Sequence, residues 1–330
     1  MASTSSSPKH LLGIDLGGTK ILAGVFNSRL DLIGKAKKST KARRGVEAVV
    51  ERIARCALEA IDECDLQPED VAGVGIGAPG ATDPETGRVI FAPNLQWRDV
   101  PLKAMLEKQL SLPVFIENDC NIQALGVHQA ELDGKPRHMV GIFLGTGIGA
   151  GLILDGRLFS GFNRTAGEIG HMVLDIDGPK CGCGNRGCFE ALASRTAIFN
   201  RLKEAVAKGR KTALVDMLGP GLKDMRSNDL RKAIEKKKDK LAKKIVEDAA
   251  RYTGIAVASV INLLNPEVVV LGGGLMEALG EHILPIAEKT ARKYAMDGVD
   301  KGIRIVASKL GDHAGITGGA VLARMRLQQG

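Results

Sequence analysis

Aromatic side chains are nearly missing from this chain. Phe, Tyr and Trp make up 3% of its 330 residues, with a single tryptophan, Trp97. Proteins that hold single-stranded nucleic acid stack the bases on aromatic rings, and here there is little to stack on. Long apolar runs are absent too: none reaches the ~18 residues a membrane-spanning helix needs. The opening, MASTSSSPKH, is polar and lacks the apolar stretch of a secretory signal. Cysteines number six, and three of them crowd into residues 181–188 instead of spreading as a disulfide framework. These absences point to a reducing cytoplasm, with neither membrane nor nucleic acid as partner.

What is present is an ordinary globular composition, 44% hydrophobic and 25% charged, at a length that suits two domains. Glycine is abundant, with 41 residues, and much of it sits in short motifs where backbone comes close to a ligand or turns tightly. The net charge of +8 is concentrated: residues 201–245 carry 15 Lys and Arg against 6 Asp and Glu. Such a segment is either a polyanion-binding face or a solvated helix surface. The interleaved acids and the helical spacing of Leu230, Ile234, Leu241 and Ile245 favour the solvated helix.

Read in order, residues 11–26 (LLGIDLGGTKILAGVF) predict strand, glycine turn, strand. The Gly17-Gly18-Thr19 turn offers backbone N–H groups and a hydroxyl, which suit an oxyanion. Asp15 stands just before that turn. A carboxylate beside phosphate is repulsive unless a cation bridges them, so Asp15 suggests Mg²⁺. A helix is expected over 45–62, and a buried strand over 71–80 that runs into a Gly-Pro-Gly loop. A short helix follows at 100–110, then a strand at 112–119 ending on Glu117-Asn118-Asp119, then a helical pattern from Asn121 to Leu132. Polar residues at the exit of a buried strand are where open α/β sheets place their chemistry.

Residues 138–154 (HMVGIFLGTGIGAGLIL) repeat the opening at an offset of 128: Gly13, Ile14, Leu16 and Gly17 correspond to Gly141, Ile142, Leu144 and Gly145. A repeat of this kind predicts two related domains, each with one anion-binding hairpin. The repeat breaks at one informative place, where Asp15 becomes Phe143. Further on come helical segments to about 250, an apolar helix over 245–264 stopped by Asn265-Pro266, a buried strand over 267–276 opening into Gly272-Gly273-Gly274, and a strand over 303–308. A final helix at 313–328 is expected to pack back on the first domain.

The segment GEIGHMVLDIDGPKCGCGNRGCFE, residues 167–190, places His171 ten residues before Cys181, with Cys183 and Cys188 following. Three thiols and one imidazole are the ligand set of a tetrahedral structural Zn²⁺ site. Glu168 and Glu190 are then left for another task. Cys56, Cys64 and Cys120 have no ligand spacing and read as small buried side chains, and Trp97 reads as packing.

Eight motifs in one order (LGIDLGGTK, GAPG, APNLQW, END, LGTGIGAG, GEIGH, CGCGNRGC-x-E and VLGGG) make the chain, from about Leu11 to Met325, resemble the ROK family of repressors, open reading frames and sugar kinases, and within it the glucokinases. The resemblance implies a two-domain α/β fold of the ribonuclease-H-like type shared with actin and hexokinase, bearing a zinc knuckle. Residues 11–118 plus 313–330 would form the small domain, and 119–312 the large one, with the knuckle at 171–188. It implies ATP with Mg²⁺ as phosphoryl donor, glucose as acceptor at its 6-hydroxyl, and a homodimer or homotetramer. Mannose, fructose and an N-acetylhexosamine stand as alternative acceptors, and polyphosphate as an alternative donor. Asp119 matches the family's catalytic base. Asn118, Glu168, His171 and Glu190 match sugar-binding positions, with Gly80 and Asn94 near the sugar. Gly17, Gly18, Thr19, Lys20, Thr146 and Gly147 match the ATP phosphate loops, and Gly272, Gly273 and Gly274 the loop at the adenosine. A repressor of the same family is disfavoured, because only ten residues precede Leu11 and a helix-turn-helix would need more.

Overall fold

The computed structural model describes residues 10–329. The chain divides into two compact units, 1–135 with 151–166 and 312–330, and 136–150 with 167–311. The helix Asp119–Gly126 therefore groups with the first unit.

The first unit is built on a five-stranded sheet in the order Leu32–Ser39, Lys20–Phe26, His10–Leu16, Val71–Ala78, Val114–Asn118. The first three strands are antiparallel and the last three parallel. Alternation along His10–Leu16 sends residues to two faces. Leu12, Ile14 and Leu16 pack with Val49, Ile53 and Ala57 of the helix Val46–Asp62. Leu11 packs instead with Ile316, Ala320 and Ala323 of the terminal helix, Ala314–Leu327. That helix lies so close to the sheet that side chains are excluded: a Cβ at Gly13 would sit 1.8 Å from the Ile316 carbonyl oxygen, and one at Gly75 1.9 Å from that of Gly319. Leu32–Ser39 was not legible as a strand. Its residues alternate between half-buried and exposed, as an edge strand allows. Trp97 is buried in the same core as Leu12 and Ile53, which bears out its packing role.

In the second unit, Met139–Leu144, Val268–Gly272 and Arg304–Ala307 form parallel neighbours. They belong to a sheet completed by Ile148–Leu154 and Arg157–Leu158. The strand read as running to 276 ends at Gly272. Gly273, at φ 87°, begins a helix over Gly274–Tyr294 that sequence reasoning did not identify; Pro285 lies inside it. The basic segment folds as the end of a helix Arg195–Ala207, then Ala213–Leu218, Ser227–Glu235 and the start of Lys240–Leu264. Leu230, Ile234, Leu241 and Ile245 are buried while Lys236, Lys237, Lys238, Lys243 and Lys244 are exposed, so the solvated-helix reading holds. No helix among the described residues is long and apolar enough to cross a membrane.

Candidate active site

The parallel register of the first sheet brings its chemistry to one edge. Asp15 is level with Gly77, and Gly77 with Glu117, so the strands carrying Asp15 and Asn118 end at the same edge, on either side of Val71–Ala78. Asp119 opens the helix that follows. Asn118 caps that helix, its side-chain oxygen accepting from the Cys120 and Asn121 amides at 2.8 and 3.2 Å, and the Cys120 amide is shared with Asp119 Oδ1 at 2.9 Å. Asn118 also donates to the Gly80 carbonyl at 3.0 Å, which leaves one side-chain N–H for other work. Gly80 has φ 83°, and a Cβ there would meet the Phe91 carbonyl oxygen at 2.2 Å. Glu117, buried and given no role of its own from sequence, accepts from the Asn118 amide at 2.9 Å and from Asn121 at 3.0 Å. It braces the segment on which Asp119 stands.

Burial first, then the charge of Asp119, lift the Asp15 carboxyl from the ordinary 3.8 to about 7, with Lys20 pulling against them and Asp312 adding a smaller upward push. A carboxylate held protonated by burial and a like charge is a place where a cation is welcome. Asp15 and Asp119 thus stand close enough to feel one another beside the glycine turn. In that turn the Gly17 amide donates to the Lys20 carbonyl at 2.8 Å. Thr40, fully buried and missed by sequence reading, donates its hydroxyl to the Gly17 carbonyl at 2.6 Å and its amide to the Thr19 carbonyl at 2.9 Å. Lys20 forms an ion pair with Asp312 at 2.6 Å, another residue without a signal in the sequence. Asn94 sits in a short turn, Pro93–Leu95, its Cβ 3.3 Å from where a Gly18 Cβ would be.

The second unit holds the other hairpin and the cysteines. The Gly145 amide donates to the Gly147 carbonyl at 2.9 Å, closing the turn around Thr146. Arg195, also missed, donates to the Thr146 hydroxyl, and Thr196 donates to the Thr146 carbonyl at 2.7 Å. Glu190 accepts from the Ile148 amide at 2.8 Å, and a Cβ at Gly147 would fall 2.3 Å from its Oε2. Where the repeat replaces Asp15 by Phe143, the ring lies 2.8 Å from a would-be Cβ of Gly272, so packing occupies the place of the carboxylate. Gly273 approaches the Leu144 carbonyl oxygen, 2.6 Å from a would-be Cβ, while Gly274 faces open space. A glycine turn between a strand and a helix N-terminus suits phosphate or a nucleotide.

The ligand atoms of His171, Cys181, Cys183 and Cys188 all lie within 4.8 Å of one another. Cys183 Sγ is 3.7 Å from Cys188 Sγ, and Cys181 Sγ is 3.7 Å from His171 Nδ1. A tetrahedron with Zn–S bonds of ~2.3 Å has S–S edges of about 3.8 Å, so the cluster fits zinc. Gly187, at φ 66°, folds the knuckle where a Cβ would overlap the Asp175 carbonyl. Burial pushes the Cys188 thiol up to about 12 and raises Cys181 too, while the Asn185 backbone helps to lower Cys183. With Nδ1 turned to the sulfurs, His171 Nε2 faces the Glu168 carboxylate at 3.9 Å.

Two sheets, each opened by a Gly/Thr hairpin and one of them carrying a Cys₃His knuckle, define the α/β fold of the ribonuclease-H-like sugar kinases. The chain belongs to the ROK family, whose description matches residues 11–326. It is 36% identical to a glucokinase of Thermotoga maritima over 96% of this chain and 98% of that one. It is 31% identical to a putative xylose repressor of Caldicellulosiruptor sp., over 93% of this chain and 76% of that one. Its fold matches the crystal structure of a ROK family glucokinase from Streptomyces griseus in complex with glucose and AMPPNP, at TM-score 0.83 and 31% identity, over 96% and 99% of the two chains.

Proposed function

We propose that the protein transfers the γ-phosphoryl group of ATP to the 6-hydroxyl of glucose. The observation that carries this is the carboxylate pair Asp15 and Asp119, Asp15 at the end of one strand and Asp119 at the start of the helix that follows another, beside the Gly17–Thr19 turn. Phosphoryl transfer needs a proton acceptor, a cation and a phosphate cradle, and these residues match the three. The likeness to glucokinases over nearly the whole chain gives the acceptor.

In this reading Asp119 takes the proton of the 6-hydroxyl as its oxygen bonds to the γ-phosphorus. The bond from that phosphorus to the β–γ bridging oxygen breaks, and ADP leaves. Asp15 would hold Mg²⁺, which neutralises charge on the phosphates. Gly17, Gly18, Thr19, Lys20, Thr146 and Gly147 bind the phosphates, and Gly272, Gly273 and Gly274 line the adenosine. Glu168, His171, Glu190 and Asn118, with Gly80 and Asn94 nearby, hydrogen-bond the sugar hydroxyls. His171, Cys181, Cys183 and Cys188 would hold zinc as a structural ion, whose part would be to keep His171 Nε2 and Glu190 in place.

The test is ADP release measured across glucose, mannose, fructose and N-acetylhexosamines, with ATP and with polyphosphate. Asp119→Asn should lower kcat on glucose by a factor of ~10²–10⁴. Turnover surviving in that variant sinks the assignment of Asp119, and a sugar other than glucose with the highest kcat/KM replaces the acceptor.

A further inference from the structure

A groove of about 650 Å³ opens beside the first glycine turn, lined on one side by Gly18 and Thr19 and on the other by Lys41, Arg43 and Arg44. Asn94 and Gln96 complete its wall. Three cations face this space and no acid lines it. None of the three has an ion pair or a side-chain hydrogen bond among the described residues, whereas other basic side chains of the same unit are paired, Lys20 with Asp312 and Arg164 with Asp83. The basic loop is not a loose tail. It is tied to the glycine turn by Thr40, whose hydroxyl and amide hold the Gly17 and Thr19 carbonyls at 2.6 and 2.9 Å. Lys41 next to it is held at φ 53°, and Gln96 across the groove at φ 58°. Left-handed backbone at two non-glycine residues costs free energy and persists where the surroundings impose it.

We propose that Lys41, Arg43 and Arg44, together with the Gly18–Thr19 turn, form an anion subsite that takes the phosphoryl group of a phosphorylated sugar. Arginine forks and turn amides match phosphate oxygens. The volume is that of a small-molecule site, several times what a lone phosphate fills. The groove offers no ring for a nucleobase, its apolar lining being Pro93 and Ala42, so a nucleoside is not what it holds. The amides of Asn94 and Gln96 both donate and accept, as sugar hydroxyls require. Glucose 6-phosphate, the product of the proposed reaction, has this chemistry, and the subsite would retain it beside the cradle as an inhibitor. The phosphoryl identity of the ligand rests on the reading of the Gly17–Thr19 turn as a phosphate cradle. An inorganic polyphosphate chain offers the same phosphoryl oxygens without hydroxyls.

The experiment titrates glucose 6-phosphate and inorganic tripolyphosphate calorimetrically into the full chain at 50 and 200 mM salt. It compares the wild type with Arg43→Gln/Arg44→Gln and with Lys41→Asn, a residue that tolerates the left-handed backbone. Glucose 6-phosphate should bind, weaken with salt, and lose at least tenfold in affinity in the double variant and severalfold in Lys41→Asn. Tripolyphosphate losing tenfold while glucose 6-phosphate is unaffected replaces the sugar phosphate by a polyphosphate chain and overturns the ligand proposed. Equal affinity of both variants and the wild type for both ligands overturns the subsite. Since the Asp119→Asn assay reads turnover and these titrations read binding, a chain without kinase activity that still binds glucose 6-phosphate through Arg43 and Arg44 refutes the reaction and keeps the subsite.

Discussion

Replacing Asp15 by asparagine removes a carboxyl whose ionisation the fold resists, and the consequence for stability has a definite sign. The folded pKa lies at about 7 against 3.8 for the free group, burial being the larger cause and the Asp119 charge the next. Below about pH 4 both folded and unfolded chains hold the proton, and the group contributes nothing. Between about 4 and 7 the unfolded chain releases it while the folded chain keeps it. The unfolded state then binds fewer protons, and stability falls as pH rises, levelling off above about 7. At 1.36 kcal/mol per pKa unit the full shift amounts to about 4 kcal/mol. Asp15 keeps part of its surface exposed, and solvent reduces the penalty to roughly 2 kcal/mol. Asp15→Asn cannot ionise, so it should match the wild type at about pH 3 and exceed it by about 2 kcal/mol at pH 8. Urea denaturation of both proteins across this range, read as the midpoint at constant m-value, measures the difference. Mg²⁺ with a nucleotide should narrow the gap at pH 8, because a cation beside Asp15 favours its charged form. A gap between variant and wild type that is the same at about pH 3 and pH 8 would refute the reasoning. The same substitution should abolish turnover, as stability and function pull in opposite directions at such sites.

Gly315→Ala would place a Cβ 2.8 Å from the Asp15 Cγ; the carboxyl must move, and kcat should fall about tenfold at a stability cost of ~1–3 kcal/mol. Asp312→Asn releases Lys20 from a half-exposed ion pair, worth ~1 kcal/mol, so the KM for ATP should rise about fivefold with kcat little changed; an unchanged KM means that the pair does not position Lys20. Cys183→Ser removes one of the four proposed zinc ligands and should weaken glucose binding, measured by calorimetry, far more than ATP binding; equal losses would mean that the knuckle supports only the general fold. Chelating the metal should lower the thermal midpoint and glucose affinity together.

The motifs of this chain were legible wherever chemistry and local backbone geometry coincide. The glycine turns, the Cys₃His spacing and the END run at a strand exit could be read because each constrains residue type over a few positions. The break of the repeat at Phe143 was also readable, although its reason, a ring packed on Gly272, needed the structure. What escaped were residues whose role depends on distant partners. Thr40 looks like a loop threonine until its hydroxyl is found on Gly17, 23 positions away. Asp312 is one of many surface acids until the terminal helix brings it to Lys20. Arg195 lies 49 positions from Thr146. The helix Gly274–Tyr294 was hidden by the apolar run before it and by Pro285 within it. Leu32–Ser39 was hidden because an edge strand with lysines on its exposed positions has no strong apolar alternation.

The two hairpins descend from one pattern, yet each is anchored to a different kind of partner. The first turn is fixed by Thr40 to a basic loop and by the Lys20–Asp312 pair to the short turn that leads into the terminal helix. That helix comes close enough to support Asp15 because Gly13, Gly75, Gly318 and Gly319 carry no side chains: a Cβ at Gly318 would overlap the Ile122 carbonyl. The carboxylates of this unit thus depend on glycines far from the glycine turn in sequence. The second turn has no carboxylate of its own, and borrows one. Glu190 reaches the Ile148 amide at 2.8 Å from a helix that begins directly after Cys188. A metal on the four knuckle ligands would therefore set not only His171 but also the strand that leaves the second turn. This joins two residues with proposed sugar contacts to a turn with proposed phosphate contacts through one short knuckle. It gives a physical reason for Cys188 and Glu190 to lie two positions apart: a longer connection would let the carboxylate drift from the hairpin whenever the metal site relaxed.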